Sequence, residues 1–179
     1  MTDAPAIRTA STADLAAVRD LLLRTWRMTY IPRHGARKVE AIIRRWHNDE
    51  RLLADIGDES AVFLLAEIDG RVVGHAFAQT AGATGVRLQR LYVDPDRHRQ
   101  GIGTTLLEEI IDRLDHSVLR LSLEVDIQGS SAIAFYQRHG FVEAGRTTCS
   151  GPEDDSDIPA VLMVRDLGRH GNAGRGEAG

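Results

Sequence analysis

Residues 90–107 constrain the fold more than any other stretch of this chain. Leu88, Leu91 and Val93 carry the apolar content of a strand. Asp94-Pro95 ends it, because proline has no N–H to give a strand ladder. A basic turn, Arg97-His98-Arg99, follows, and Gly101-Ile102-Gly103 then opens a helix. Ile102, Leu106, Leu107, Ile110, Ile111 and Leu114 recur at helical spacing, so one face of that helix is buried. Glycines at such an entrance let the bare main chain approach a ligand, and the first helical turn adds unpaired N–H groups and partial positive charge. The segment therefore reads as a diphosphate seat, with a plain tight turn as the competing reading. Two phosphate-binding patterns are excluded. A P-loop needs lysine after its second glycine, where Thr104 stands here, and a dinucleotide fold needs a third glycine, where Leu106 stands.

The remaining elements fall on either side of this unit. Ile7–Ala10 reads as a first strand, and Ser11-Thr-Ala-Asp14 as a cap for a helix with Leu15, Val18, Leu22 and Trp26 on one face. Pro32 and Gly35 break that helix, and Val39–Trp46 forms a second one. Ala61–Ile68 and Arg71–Ala78 form a hairpin around Asp69-Gly70. Beyond the glycine-led helix, Leu119–Asp126 reads as a strand and Ser130–His139 as a short helix closed by Gly140, with Phe141 packing back. Two final strands cover Glu143–Thr148 and Ala160–Arg165. The expectation is one α/β domain over residues 7–167, with a mixed, mostly antiparallel sheet of about seven strands flanked by four helices. Residues 1–6 read as an N-terminal tail and residues 168–179 as a disordered C-terminal tail.

Composition narrows the function classes. A net charge of −4 gives no bulk attraction to nucleic acid or anionic membrane, and Arg44-Arg45 and Arg97/Arg99 are too few for a nucleic-acid footprint. No apolar run approaches the roughly 18 residues that a membrane span needs, and residues 1–6 hold no signal-type core. The expected setting is cytoplasmic. One cysteine, Cys149, excludes an internal disulfide and has no Cys–His pattern to make it a nucleophile. The seven histidines show no metal-ligand spacing.

Two segments together carry a family resemblance. Residues 98–103 resemble the Arg/Gln-x-x-Gly-x-Gly/Ala motif of the GCN5-related N-acetyltransferases, and residues 129–141 their strand-following Asn-x-x-Ala-x-x-Phe/Leu-Tyr-x-x-x-Gly-Phe signature. The resemblance covers about residues 7–167 and implies that acetyl-CoA is the co-substrate. It implies that His98, Arg99, Gln100, Gly101, Ile102, Gly103, Thr104 and Thr105 surround the diphosphate, and that Leu91, Tyr92 and Val93 run beside the pantetheine arm. It also implies that Tyr136 protonates the departing thiolate, and that pairing through edge strands gives a homodimer. Three positions depart from the family pattern: His98 replaces Arg or Gln, Gly129 replaces Asn, and Arg87 replaces the glutamate that many members use as a base.

Acetyl transfer to an amine needs a neutral nucleophile, a stabilised oxyanion and a proton for the leaving sulfur. Neutralising a lysine-like amine at pH 7 costs ~4.6 kcal/mol, so a base or a desolvating pocket is required. Glu67 and Glu124 are the carboxylates on predicted strands, and His75 is the option that titrates near neutrality. Each also reads as an ordinary strand or core residue, and a water chain to bulk would serve as well. Trp26, Tyr30 and Trp46 are candidates for an aromatic acceptor wall, although aromatics at such spacing often only fill a core. The run Gly151–Asp157 gathers four carboxylates that would attract a cationic amine if they lay at the acceptor mouth. The sequence-level reading is thus a direct, ternary-complex N-acetyltransferase acting on a small-molecule or peptide amine. Its alternatives are a non-catalytic acyl-CoA-binding module and a protein N-acetyltransferase.

Overall fold

Asp69 and Gly70 both hold positive φ, 51° and 70°, as a two-residue turn between twisted strands demands. They join β2 (Val62–Ile68) to β3 (Arg71–Thr80) at the heart of the computed structural model, which describes residues 4–148 and 158–168. The other strands are β1 (Ala6–Thr9), β4 (Gly85–Val93), β5 (Arg120–Asp126), β6 (Val142–Thr148) and β7 (Pro159–Asp166). They form one sheet in the order β1-β2-β3-β4-β5-β7-β6, so the last strand inserts between the two that precede it. Every neighbouring pair is antiparallel except β4 and β5.

Helices α1 (Leu15–His34), α2 (Ala36–Trp46) and α3 (Asp49–Ile56) cover one face, and α4 (Ile102–Arg113) the other, while α5 (Ser130–Arg138) follows β5. The strand period of two divides the apolar residues between these layers. Leu64 and Ala66 face the cluster built on Ile102, Leu106, Leu107 and Ile110 of α4. Phe63 and Leu65 face the cluster built on Val18, Leu22, Trp26, Val39, Ile42 and Leu52. Gly74 lets α4 sit down on β3, since a Cβ there would lie 3.0 Å from Leu106 Cδ1 and 3.2 Å from Ile102 Cγ2.

Among the described residues five α-helices flank the sheet, one more than the four expected. The additional one, α3, is capped by Asn48, whose side chain accepts from the Arg51 amide at 3.0 Å, and Asp49 and Glu50 occupy its first turn. Pro32 does not break α1. It falls within the last three residues, and Gly35 ends the helix with its amide bonded to the Ile31 carbonyl at 2.9 Å. Asp14 accepts from the Ser11 amide and hydroxyl, both at 2.8 Å, as a capping pair should. Cys149, the acidic run 151–157 and the tail beyond Gly168 lie outside the described residues.

Strand β4 carries an irregularity that matters later. Phe77 pairs with Arg90 and Ala78 with Leu88, so Gln89 is an extra, exposed residue on β4. The bulge changes which face the following residues address. Val86 and Leu88 face α4, whereas Arg90 turns to the α1–α3 side, 8% exposed and ion-paired with Asp55 at 2.7 Å. Two histidines share that interior: His75 is fully buried and His47 is 8% exposed. Burial, reinforced by the Arg90 charge, pushes both imidazoles from 6.5 down to about 3.

Both rings are therefore neutral in the folded protein at pH values where the unfolded chain binds a proton. Stability falls as pH drops below the unfolded value of about 6.5, by about 1.4 kcal/mol per pH unit for each histidine. Urea unfolding at about pH 7.5 and about pH 5 should show a loss of several kcal/mol, and His75→Leu should remove roughly half of that slope.

Candidate active site

Strands β4 and β5 run parallel and pair only at Gly85–Arg120, Val86–Leu121 and Arg87–Ser122. Beyond those residues they part, and the split opens a cleft of about 590 Å³. Its sides are Leu88–Val93 of β4 and Leu123–Asp126 of β5, its roof is the cleft-facing side of α1, and its far end is the loop leading into α4. A second cavity, of about 320 Å³, lies on the α1–α3 side and is walled by Trp26, Tyr30, Trp46, Phe77 and Tyr92. The two cavities share Tyr30, Leu88, Gln89, Arg90, Tyr92 and Glu124, so they meet where the sheet splits.

The loop before α4 is built to expose its main chain. Arg99 has φ +62° and Gly101 φ +83°, a left-handed conformation that non-glycine residues adopt seldom and usually at functional sites. A Cβ on Gly101 would meet nothing within 4 Å, so the constraint there is conformational, not steric. The first i→i−4 amide bond of this helix runs from Thr105 N to Gly101 O at 3.0 Å, which leaves the first-turn amides without helical partners. Those amides and the positive end of the helix dipole fit a diphosphate.

His98, at the position where the resemblance puts Arg or Gln, instead braces this loop: its Nε2 lies 3.1 Å from the Val93 carbonyl. His139 ties the two helices flanking the cleft together. Its Nδ1 donates to the Phe135 carbonyl at 2.8 Å, and its Nε2 lies 3.1 Å from Thr104 Oγ1.

The site residues named from sequence separate into two groups. Leu91, Tyr92, Val93, His98, Arg99, Gly101, Ile102, Gly103, Thr104 and Tyr136 all line the cleft. Gln100 and Thr105 do not: Gln100 is exposed, and the Thr105 hydroxyl turns back to the Gly101 carbonyl at 3.3 Å. Tyr136 sits between Phe135 and Phe141 at centroid distances of 5.2 and 5.5 Å, and this apolar setting pushes its phenol well above 10. Trp26 and Tyr30 line the second cavity together with Trp46, and Trp26 Nε1 donates to the Tyr92 hydroxyl at 3.0 Å.

Of the three candidate bases, only Glu124 reaches the junction. It opens on both cavities and is held by Arg87 Nη1 at 3.0 Å. Glu67 is corrected by the structure. It lies on β2, separated from β4 by β3, and its carboxylate is taken by Arg8 at 2.6 Å in a network with Asp14. The same network holds the Asp14 carboxyl well below the usual carboxylate range, through the Arg8 hydrogen bonds first. His75 is corrected too: it pairs with Tyr92 in the β3–β4 register but is sealed in the core and lines neither cavity.

Sequence reasoning missed Arg90 with Asp55, Gln89, and the pair Arg33–Asp126 on the cleft rim. An arginine at the apolar phase of the alternation Val86-Arg87-Leu88-Gln89-Arg90 was the available signal for the first of these.

A split sheet with a glycine-led helix start at its mouth and a tyrosine in its wall defines an acyl-CoA-using transferase fold. The model of the Acetyltransferase (GNAT) family matches residues 15–141. The chain belongs to that family of N-acetyltransferases. It is 32% identical over 118 residues to the [Ribosomal protein bS18]-alanine N-acetyltransferase of Escherichia coli K12, covering 65% of this chain and 78% of that protein. It is 30% identical over 142 residues to the spermidine N(1)-acetyltransferase of Thermoplasma acidophilum, covering 75% and 86%. Among solved structures, the PaiA N-acetyltransferase of T. acidophilum in complex with coenzyme A superposes with a TM-score of 0.76 at 27% identity, over 92% of this chain and all of that one. The E. coli S18-alanine enzyme superposes with a TM-score of 0.72 at 26% identity, over 94% and 97%.

Gly103 provides a test of the seat. A Cβ there would make only ordinary contacts, 3.6 Å to Phe135 and 3.7 Å to Val93, and alanine is the better helix former by about 1 kcal/mol. Gly103→Ala should therefore raise the melting temperature slightly while weakening coenzyme A binding by calorimetry, since the added methyl crowds the exposed amides.

Proposed function

We propose that the protein is an acetyl-CoA-dependent N-acetyltransferase that delivers the acetyl group directly to a primary amine in a ternary complex. The observation that carries this reading is the junction of the two cavities at Leu88–Tyr92 and Glu124. A thioester lying along the split strands ends where an amine from the second cavity can reach it. Positioning of this kind accounts for much of the barrier reduction in two-substrate reactions.

Each requirement of the chemistry has a residue nearby. The aromatic cavity strips water from the incoming ammonium, and Glu124, or a water held by it, takes the proton. Main-chain N–H groups of β4 that the split leaves without a β5 partner stabilise the oxyanion as the N–C bond forms. The C–S bond then breaks, and the sulfur receives a proton or a hydrogen bond from the Tyr136 hydroxyl. A phenol is protonated at neutral pH in any case, and the apolar surroundings push it further up, so it is available as a donor. A thiol titrates near ~8.5, so the leaving group needs modest help, and Tyr136 assists without being indispensable.

The acceptor cavity, about 320 Å³ and walled by Trp26, Trp46, Phe77 and Tyr92, suits a small amine or a single N-terminal residue better than a folded surface. The relatives span both acceptor types, one acting on a ribosomal-protein alanine and one on spermidine.

Thiol release should be measured with acetyl-CoA and a panel of polyamines, amino acids and N-terminal peptides. Turnover with at least one acceptor is expected. Binding of coenzyme A with no turnover across the panel would favour a non-catalytic acyl-CoA-binding module. With the acceptor in hand, Tyr136→Phe should lower kcat by roughly tenfold to a hundredfold and leave coenzyme A affinity nearly intact. An unchanged kcat would remove Tyr136 from the mechanism.

A further inference from the structure

Helix α1 forms one wall of the larger cleft, and it does so with polar side chains. Thr25, Thr29 and Arg33, at positions i, i+4 and i+8, all line it. That spacing puts the three on one stripe of the helix, spanning roughly 12 Å. Two of them lack the partners that a purely structural role would provide. Thr25 is 4% exposed, and among the described residues its Oγ1 has no hydrogen-bond partner. Leaving a buried hydroxyl unsatisfied costs about 1–3 kcal/mol, and a ligand that bonds it recovers that energy. Arg33 has five N–H donors, and the one acceptor recorded for it is Asp126 Oδ2, at a long 3.4 Å from Nη1.

Gly129 stands across from Arg33, and a Cβ there would lie 2.9 Å from the Asp126 carbonyl and 3.7 Å from Arg33 Nη1. A side chain at 129 would press on the Asp126 carbonyl of the β5–α5 turn, while its approach to the arginine would be an ordinary contact. Asp126 fixes Arg33 from below: 2% exposed, it also takes His34 Nε2 at 2.9 Å and the Gln128 amide at 2.9 Å.

We infer that Thr25, Thr29 and Arg33 form a polar rail on α1 that hydrogen-bonds the amide groups of the pantetheine arm from the side opposite β4, with Arg33 supplying the donor that no side chain at position 129 can. This rests on the coenzyme A reading above and goes beyond it in naming α1 as a binding element. The electrostatics select the arm over the diphosphate. A buried carboxylate 3.4 Å from the guanidinium offsets its charge and opposes a dianion, while neutral carbonyls fit. Hydroxyls that donate and accept suit amides in the same way.

The test compares coenzyme A with 3′-phosphoadenosine 5′-diphosphate, which keeps the diphosphate and lacks the arm. By calorimetry, Arg33→Met should weaken coenzyme A binding about tenfold and leave the truncated ligand unaffected. Thr25→Val should raise the melting temperature of the free protein, by removing the unsatisfied hydroxyl, and still weaken coenzyme A several-fold. Equal losses for both ligands in Arg33→Met would assign the residue to the diphosphate and overturn the rail. Unchanged coenzyme A affinity in both variants would overturn it as well. If Arg33→Met fails to fold, Thr25→Val decides alone. Wild-type protein that binds neither ligand would instead refute the coenzyme A reading itself.

Discussion

The parting of β4 from β5 is the constraint from which the rest of the structure follows. Two parallel strands that stay paired bury their inner edges in a ladder, whereas here only three residue pairs form before the strands separate. Main-chain groups on both inner edges beyond that point are then left to a ligand, since an unpaired polar backbone is tolerated only where water or a ligand can reach it. The glycine-led entrance to α4, the tyrosine on α5 and the polar face of α1 are all arranged around that gap. Bringing them together takes one βαβ crossover, which puts the start of α4 at the C-terminal end of β4, where ligands of such sheets collect.

The bulge at Gln89 does the complementary work on the acceptor side. It rotates β4 so that Leu88 remains with α4 while Arg90 and Tyr92 face α1–α3. The second cavity thereby gains a cationic floor tied to Asp55 and an aromatic wall in which Trp26 holds the Tyr92 hydroxyl. A regular strand would have sent Arg90 into the α4 core, among the apolar side chains of Ile102, Leu106, Leu107 and Ile110. Asp55 comes from α3, the helix that sequence periodicity overlooked. Eight residues display barely two turns of pattern, although the Asn48 cap with Asp49 and Glu50 behind it was a readable start signal.

What was legible in the sequence was local. The Asp69-Gly70 turn, the Gly101–Gly103 entrance, the apolar stripe of α4 and the Gly140 stop each rest on a few adjacent residues obeying backbone sterics. The insertion of β7 between β5 and β6 was not legible, because strand order is decided by packing over distances that spacing does not encode. The candidate bases show the same division. Glu67 and Glu124 look alike as strand carboxylates, yet one is captured by Arg8 at the far side of the sheet and the other stands at the junction of the cavities. His75 has the right intrinsic chemistry and the wrong depth: full burial removes it from solvent and holds it neutral.

Arg87 and Gly129, the two departures that cast most doubt on a catalytic reading, gain a common explanation from the fold. Arg87 does not stand in for a carboxylate; it anchors one, reaching across the β4–β5 pair to Glu124 at 3.0 Å. On the proposed mechanism the carboxylate at the junction therefore comes from β5, with its position fixed by Arg87. At the other end of the cleft Gly129 keeps the β5–α5 turn clear of its own Asp126 carbonyl, and Arg33 from α1 faces it. On the proposed reading, both places put a function on a neighbouring element while the geometry of the gap is kept. Such relocation is open to a site in which most ligand contacts come from main chain, because backbone groups hold the register while side chains exchange roles around it.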